Sequence, residues 1–289
     1  MPVNSRYKLV RLASGVNSVH SVEHEETFHP VVGPVAEAEA LYVRQLRLLQ
    51  RMQKETGEFV IWDVGLGAAA NVLTVLRAAS ELPVKIRIVS FDHTIAALRF
   101  AFEHAGELGY FKGFEATIER FLAQGAADFQ LGKASVVWQL ILADFPSLLR
   151  DSLATRLKKP HAILFDAFSP AKNAAMWTLP VFSDLYRLLD PARPCALPTY
   201  SRSTMLRVTL LMAGFHVGTG HATGEKEETT IAANTPDLID EPLGLTWLER
   251  VAQSTSAEPL IKPVYRQARL SPQSWEQLKR HAQFQSAVR

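Results

Sequence analysis

The chain has a single cysteine, Cys195, so neither an internal disulfide nor a thiolate cluster for zinc is available to it. Cys195 is expected in the core. No apolar run approaches the roughly 20 residues needed to cross a bilayer. No apolar stretch of signal-peptide length follows the early charges Arg6, Lys8 and Arg11, so no membrane association and a cytoplasmic location are expected. The nine histidines show no metal-ligand spacing such as His-Glu-x-x-His, and no metal is expected. Neither an internal repeat nor a low-complexity tract interrupts the chain. Charge of one sign is not in large excess, since 31 Lys and Arg against 29 Asp and Glu leave +2. That balance permits a polyanionic partner without demanding one. Arg44, Arg47 and Arg51 recur at helical spacing and fit a solvated helix face. What is present, 47% hydrophobic and 21% charged residues over 289 positions, suits a globular protein with one full core and an appendage.

Three regions are predicted: an appendage over residues 1–55, a core over 56–235 and a tail over 236–289. In the appendage, Tyr7 to Leu12 and Val16 to Val22 flank Ser14-Gly15 and predict a hairpin. Beyond Pro30 and Pro34 a helix is expected to about Gln53, with Ala38, Leu41, Tyr42, Leu46 and Leu49 as its apolar stripe. From Phe59 onward short apolar runs alternate with helical stretches, the pattern of a parallel sheet covered on both faces. Strands are expected at Phe59 to Asp63, Lys85 to Phe91, Ser135 to Ala143, Ala162 to Phe165, Cys195 to Tyr200, Phe215 to Thr219 and Thr229 to Ala233. A helix over Thr204 to Ala213 should end at Gly214. The last two strands are joined only by Gly220 to Glu228, too short for a helical crossover, and should be antiparallel neighbours. In the tail, Leu245 to Val251 is apolar, and Ser271-Pro272 reads as the cap and first turn of a closing helix. The fold class is therefore α/β and Rossmann-like. Five parallel strands followed by an antiparallel pair is the order that sets class I S-adenosylmethionine-dependent methyltransferases apart from ordinary dinucleotide folds.

Asp63-Val64-Gly65-Leu66-Gly67-Ala68-Ala69-Ala70-Asn71 lies where a buried strand turns into a helix. Gly65 and Gly67 let the backbone turn tightly and approach a ligand, and Asp63 and Asn71 flank them as candidate cofactor contacts. The same run matches the looser Gly-x-Gly-x-x-Ala dinucleotide pattern, so the glycines alone do not separate a methyl donor from a nicotinamide. A tight turn with no ligand has the same letters. Two acids sharpen the reading because they end strands at the edge where open α/β sheets bind ligands. Asp92 can accept the ribose hydroxyls of an adenosine, and Asp144 can hold an adenine amino group or cap a helix. The second nucleoside-facing acid favours S-adenosylmethionine over NAD. Asp166 ends the fourth strand, followed by Phe168, Ser169 and Pro170 as a rigid, partly apolar platform. A carboxylate there can hold or deprotonate an amine, which has no lone pair while it is protonated. A structural cap is the alternative for Asp166 too. An aminopropyltransferase and a non-catalytic RNA-binding module are further alternatives at this point.

The run Asp166-Ala167-Phe168-Ser169-Pro170-Ala171-Lys172-Asn173 with Met176-Trp177-Thr178 resembles the hallmark of the MnmC-like methyltransferases. These complete 5-methylaminomethyl-2-thiouridine at the wobble position of bacterial tRNA. Glu26-Thr27-Phe28-His29-Pro30 to Gly33, the acidic helix with Glu37 and Glu39, the glycine loop, Ser90-Phe91-Asp92 and Ala213-Gly214-Phe215 follow in the family's order, over roughly residues 8 to 234. The resemblance implies a class I fold, S-adenosyl-L-methionine as donor, tRNA as acceptor and methylation of an exocyclic aminomethyl nitrogen on uridine. It puts Asp166 in the family's catalytic acid position, with Phe168, Pro170, Lys172 and Asn173 expected on the acceptor side. His29 is expected there too if the segment from Phe28 to Gly33 folds over the ligand edge of the sheet, a surface or packed histidine being the alternative. It also implies a stand-alone methyltransferase, with the aminomethyl intermediate supplied by a separate oxidase, because no second nucleotide-binding fingerprint follows residue 234. Ala174 departs from the family's proline, Pro194-Cys195 from its glycine turn, and Asp92 from its more frequent glutamate.

Overall fold

A computed structural model describes residues 6–223 and 227–285. The chain divides into two compact units: Met1–Phe145 with Ala162–Asp166 and Ala222–Glu227, and Pro146–His161 with Ala167–His221 and Glu228–Arg289.

The first unit opens with the expected hairpin. β1 (Tyr7–Arg11) pairs antiparallel with β2 (Asn17–Ser21), and a two-residue β3 (Glu26–Thr27) adds to β2. The helix expected from Pro34 to Gln53 is not continuous. An α-helical turn, Pro34–Ala38, runs into a π-helical stretch, Glu39–Arg44, and a second helix, Leu48–Lys54, starts after Arg47, whose φ of 48° is left-handed. Ala40, Leu41, Tyr42 and Val43 are all buried in the π-helical stretch. The break also shifts the stripe, so that Leu48 rather than Leu49 is buried after it.

The main strands of this unit are β4 (Glu58–Val64), β5 (Lys85–Asp92), β6 (Ala126–Leu131), β7 (Ala134–Leu142) and β8 (Ala162–Phe165), in the order β8-β4-β5-β7-β6. β4 is buried along nearly its whole length, as befits a central strand of a parallel sheet covered on both faces. Pairing is parallel from β8 through β7, with Val64 opposite both Phe91 and Phe165 and Asp92 opposite Leu142. This register places the carboxyl ends of β4, β5 and β8 side by side, which is what gathers the candidate site. β6, which sequence reasoning missed, pairs antiparallel with β7 through Gly132-Lys133. Gly132 has φ 58°, and a glycine at the first position of a two-residue connection is a hairpin signal.

In the second unit β9 (Ala196–Thr199), β10 (His216–Gly220) and β11 (Thr229–Ala233) pair in the order β10-β11-β9. β11 is antiparallel to both neighbours, Thr230 opposite Thr199 and Thr229 opposite Gly220. The helix Thr204–Ala213 ends at Gly214 in the left-handed conformation, and Cys195 is buried, both as expected. The tail packs through Gln283, whose side chain bonds Val217 and Leu243 of this unit. Ser271 caps the helix Pro272–Lys279 by accepting from Ser274 N. Among the described residues no helix is long and apolar enough to cross a membrane.

Candidate active site

The carboxyl edge of β4, β5 and β8 carries a charged cluster built from four segments of the first unit. Asp166 follows β8, and its backbone N–H bonds Val64 O at 3.0 Å, which fixes it beside the end of β4. Asn71, in the first turn of the helix Ala70–Ala79, donates from Nδ2 to Asp166 Oδ2 at 2.8 Å. His29 Nε2 lies 3.3 Å from the same Asp166 oxygen, and His29 Nδ1 lies 3.3 Å from Glu37 Oε1. The imidazole is thus held between two carboxylates, one at each ring nitrogen. His29 has a left-handed φ of 48°, uncommon for a residue with a side chain and a form of strain that collects at functional sites. Burial works against charge on His29, but Asp166 and Glu37 outweigh it and lift its pKa to about 9. At neutral pH it is an imidazolium donating from both nitrogens.

Asp166 is itself pushed above the ordinary carboxylate range, chiefly by burial and against the pull of His29 and Asn71. Its side chain keeps 17% of its surface exposed, and Oδ1 accepts no hydrogen bond among the described residues. Oδ2 is therefore anchored twice while Oδ1 is open to an acceptor. His29, Glu37 and Asp166 also offer ligand atoms within 4.8 Å of one another, the composition of a cation site. Pairing on opposite edges of the ring is the arrangement of an imidazolium between acids, and we assign it so.

The glycine loop has its own arrangement. Gly65, Gly67 and Ala69 have φ of 93°, 50° and 62°, so the backbone winds left-handed three times between β4 and the helix. Gly67 N donates to Asp92 Oδ2 at 3.0 Å, and Gly65 N to Phe91 O at 2.9 Å. Asp92, predicted from its strand-end position as a ribose contact, therefore also ties the loop to β5. Its other oxygen accepts from Thr94 N at 3.2 Å and pairs with His93 at 3.1 Å, a hydrogen bond that raises the His93 pKa. Ala143 N bonds Asp92 O at 2.9 Å, which places the exposed Asp144 next along the same edge, directly before the helical turn Phe145–Leu148.

Asp63 lies deeper. Ser90 donates to its Oδ2 at 2.6 Å and is itself held by Trp138 Nε1 at 2.9 Å, while burial raises the Asp63 pKa to about 7. Asp63 Oδ1 and Asn71 Oδ1 are buried without a hydrogen-bond partner. Two such oxygens at a glycine loop suit a ligand that brings N–H donors, as the amino-acid end of S-adenosylmethionine does.

Phe168, Pro170, Lys172 and Asn173 belong to the second unit and form a tight turn after Asp166. Lys172 N and Asn173 N both bond Ser169 O, at 2.9 and 2.8 Å. Trp177 Nε1 donates to Phe168 O at 2.7 Å, and Tyr200 Oη to Ala167 O at 3.2 Å. Pro170 and Phe168 are half-buried and Lys172 is exposed. Glu37 was visible in the sequence only as part of an acidic helix. The available signal was an acid inside the apolar stripe of Ala38, Leu41 and Tyr42.

Removing the Asp92 carboxylate deletes the anchor of Gly67 and, if the strand-end expectation holds, a contact to the donor. Asp92→Ala is expected to weaken binding of S-adenosylhomocysteine by about 1.5–3 kcal/mol, roughly 10- to 150-fold. Unchanged affinity in a calorimetric titration would remove Asp92 from the donor site.

The S-adenosyl-L-methionine-dependent methyltransferase family matches residues 110–235. The chain is 28% identical over 81% of its length to the tRNA 5-methylaminomethyl-2-thiouridine biosynthesis bifunctional protein MnmC of Cupriavidus necator, covering 36% of that protein. It is 30% identical over 68% of its length to the protein of the same name from Burkholderia vietnamiensis, covering 30% of it. The chain thus spans about a third of the curated relatives it matches. The crystal structure of MNMC2 from Aquifex aeolicus superposes with a TM-score of 0.65 at 22% identity, over 94% of this chain and 82% of that one, and shows a shared fold. The nicotinamide reading left open by the glycine loop is set aside by these matches. The chain is thus MnmC-like over most of its length and matches an S-adenosyl-L-methionine-dependent methyltransferase family over residues 110–235.

Proposed function

We propose that the chain N-methylates the exocyclic aminomethyl group of a wobble uridine in tRNA, with Asp166 receiving the amine's proton. The observation that carries this reading is the division of labour within the Asp166 carboxylate, Oδ2 anchored by Asn71 and His29 and Oδ1 open. The names of the MnmC relatives support the acceptor class.

A primary alkylamine is mostly protonated at neutral pH and cannot attack in that form. Asp166 Oδ1 accepts one ammonium proton, which frees the nitrogen lone pair and keeps the amine aimed along the carboxylate. Its raised pKa makes Asp166 a stronger base than an ordinary carboxylate. His29 opposes that shift, because its positive charge favours the anion. Glu37 in turn keeps His29 charged. His29 and Glu37 are positioning residues. S-adenosylmethionine supplies a methyl group on a sulfonium, which leaves as a neutral thioether when the new carbon–nitrogen bond forms. Gly65, Gly67, Asp63 and Asn71 would hold its amino-acid end, and Asp92 and Asp144 its nucleoside. In this scheme the core at 56–235 carries the donor and Asp166, while the appendage at 1–55 contributes His29 and Glu37. An oxidative step in another polypeptide or segment would supply the aminomethyl acceptor.

The test is methyl transfer from labelled donor to two tRNA preparations, one bearing aminomethyl-uridine and one lacking it, followed by nucleoside mass spectrometry. Label is expected as methylaminomethyl-uridine in the first only. Label on another nucleoside, or equal label in both, rejects the acceptor.

A further inference from the structure

We propose that a cavity of about 530 Å³ in the second unit, walled by Arg202, Arg207 and Arg250, binds phosphate groups of the RNA acceptor's backbone. The proposal rests on the RNA reading above, but its evidence is independent of Asp166.

The cavity lies among the carboxyl ends of β9 and β10 and the amino end of β11, which the antiparallel registers Thr199 with Thr230 and Gly220 with Thr229 bring together. Three guanidinium groups line it against one acid, Glu228, so the described lining carries an excess of positive charge. Arg207 is a built part of the wall: its side chain is only 5% exposed. Nε donates to Thr230 Oγ1 at 3.0 Å, Nη2 to Thr229 O at 2.8 Å, and Nη1 pairs with Glu228 Oε1 at 3.2 Å. An arginine has five N–H donors, so these three partners leave donors uncommitted among the described residues. Arg202 and Arg250 are exposed, and neither makes an ion pair among the described residues. Their fields reach Arg207, whose pKa is held below its ordinary value by burial and by both of them, against the pull of Glu228. Like charges gathered in this way oppose one another until an anion joins them, so their convergence describes a binding site better than a stabilising feature.

Two helix starts line the same cavity. Thr204 opens the helix Thr204–Ala213, whose cap Ser203 makes no side-chain capping bond. Gly244 and Thr246 belong to the start of the helix Leu245–Gln253, likewise without a side-chain cap. Their leading N–H groups supplement the arginines as phosphate ligands. Phosphate is the shared chemistry of a polynucleotide backbone and of a free phosphorylated small molecule. The polynucleotide is favoured because three guanidinium groups and two helix starts line one cavity of about 530 Å³, room for more than one phosphate.

The experiment compares the parent with the double variant Arg202→Gln, Arg250→Gln, in tRNA binding between 50 and 200 mM salt. Every arginine–phosphate pair removed lowers the slope of log K against log salt by roughly 0.7–0.9, so a reduction of about 1.5 is expected, with tRNA affinity at least about tenfold weaker at low salt. S-adenosylhomocysteine affinity should be unchanged. Inorganic pyrophosphate should compete with tRNA on the parent and have little effect on the residual binding of the variant. Parental affinity and slope in the double variant would overturn the proposal while leaving the RNA acceptor intact. If the parent binds no tRNA but takes pyrophosphate through Arg202 and Arg250, the RNA acceptor reading fails and the cavity belongs to a small phosphorylated ligand, which also overturns the assignment. Should the glutamines damage donor binding, the charge-retaining pair Arg202→Lys, Arg250→Lys decides, since it must keep the parental salt slope and its failure to do so rejects phosphate binding here.

Discussion

Asp166→Asn is expected to lower methyl-transfer turnover by about 10²–10⁴-fold while leaving affinity for S-adenosylhomocysteine near the parental value. Asparagine keeps the size of the side chain and an oxygen for the Asn71 donation now made at 2.8 Å, so the local fold has little reason to change. What goes is the negative charge and the capacity to take a proton. His29 loses one of the two carboxylates that hold its pKa near 9. A pH series separates these effects from simple damage. In the parent, kcat/KM should fall on the acid side as Asp166 protonates, at a pH above the ordinary carboxylate range because burial raises that group. The Asn variant should lack that limb. Stability gives a second readout. Raised folded-state pKa values at His29, Asp166 and Asp63 mean that the native chain binds more protons than the unfolded one. Their combined contribution must then fall as pH rises, through about 7 for Asp63 and through about 9 for His29. For His29 the stabilisation is full below its unfolded pKa near 6.5 and is lost through the folded value. Asp166→Asn should shallow this decline. Parental turnover in the variant, or equal losses of turnover and donor affinity, would sink the assignment of Asp166 to the acceptor amine.

The parts of this site that could be read in the sequence are those fixed by strand ends. A buried apolar run followed by Asp or Gly announces its own carboxyl edge, and that is how Gly65, Gly67, Asp92 and Asp166 stand out. The antiparallel pairing of β10 and β11 was legible for a similar reason, since a connection too short for a helix excludes a crossover. Pairings across the fold were not legible. Nothing local in Glu37 says that it will meet a histidine eight residues earlier, because the meeting depends on the left-handed turn at His29. The break at Arg47 was hidden because a helical stripe and a π-shifted stripe share most of their residues. β6 was missed although Gly132-Lys133 marked the turn, because Ala126–Leu131 is half-exposed and carries Asp128 and Gln130. Arg250 is distant in sequence from Arg202 and Arg207, and only the return of the chain through β10, β11 and the helix Leu245–Gln253 brings it to their cavity.

Gly67→Val should abolish binding of the methyl donor and its product, the second large effect expected here. Two physical terms act together. Gly67 has φ of 50°, and a residue with a Cβ pays roughly 1–2 kcal/mol in that left-handed region, more for a β-branched side chain. A Cβ at this position would also lie 3.2 Å from Cε2 and 3.6 Å from Cδ2 of the Phe28 ring. The ring must move before even an alanine fits, and valine adds two methyl groups to the same space. Phe28 precedes His29, so its displacement is passed to the imidazole that holds Asp166. The backbone N–H of Gly67 is bonded to Asp92, and any relief of strain that rotates the peptide sacrifices that anchor as well. Gly67→Ala grades the effect: backbone strain alone should cost about 1–2 kcal/mol, roughly five- to thirtyfold in donor affinity, with turnover reduced further through Phe28 and His29. Calorimetry with S-adenosylhomocysteine and thermal unfolding on both variants make the test. A Gly67→Val chain that melts cooperatively and shows no binding heat is the expected result, with the alanine variant between it and the parent. Parental donor affinity in a folded Gly67→Val variant would mean that the loop between β4 and its helix does not receive the donor at all.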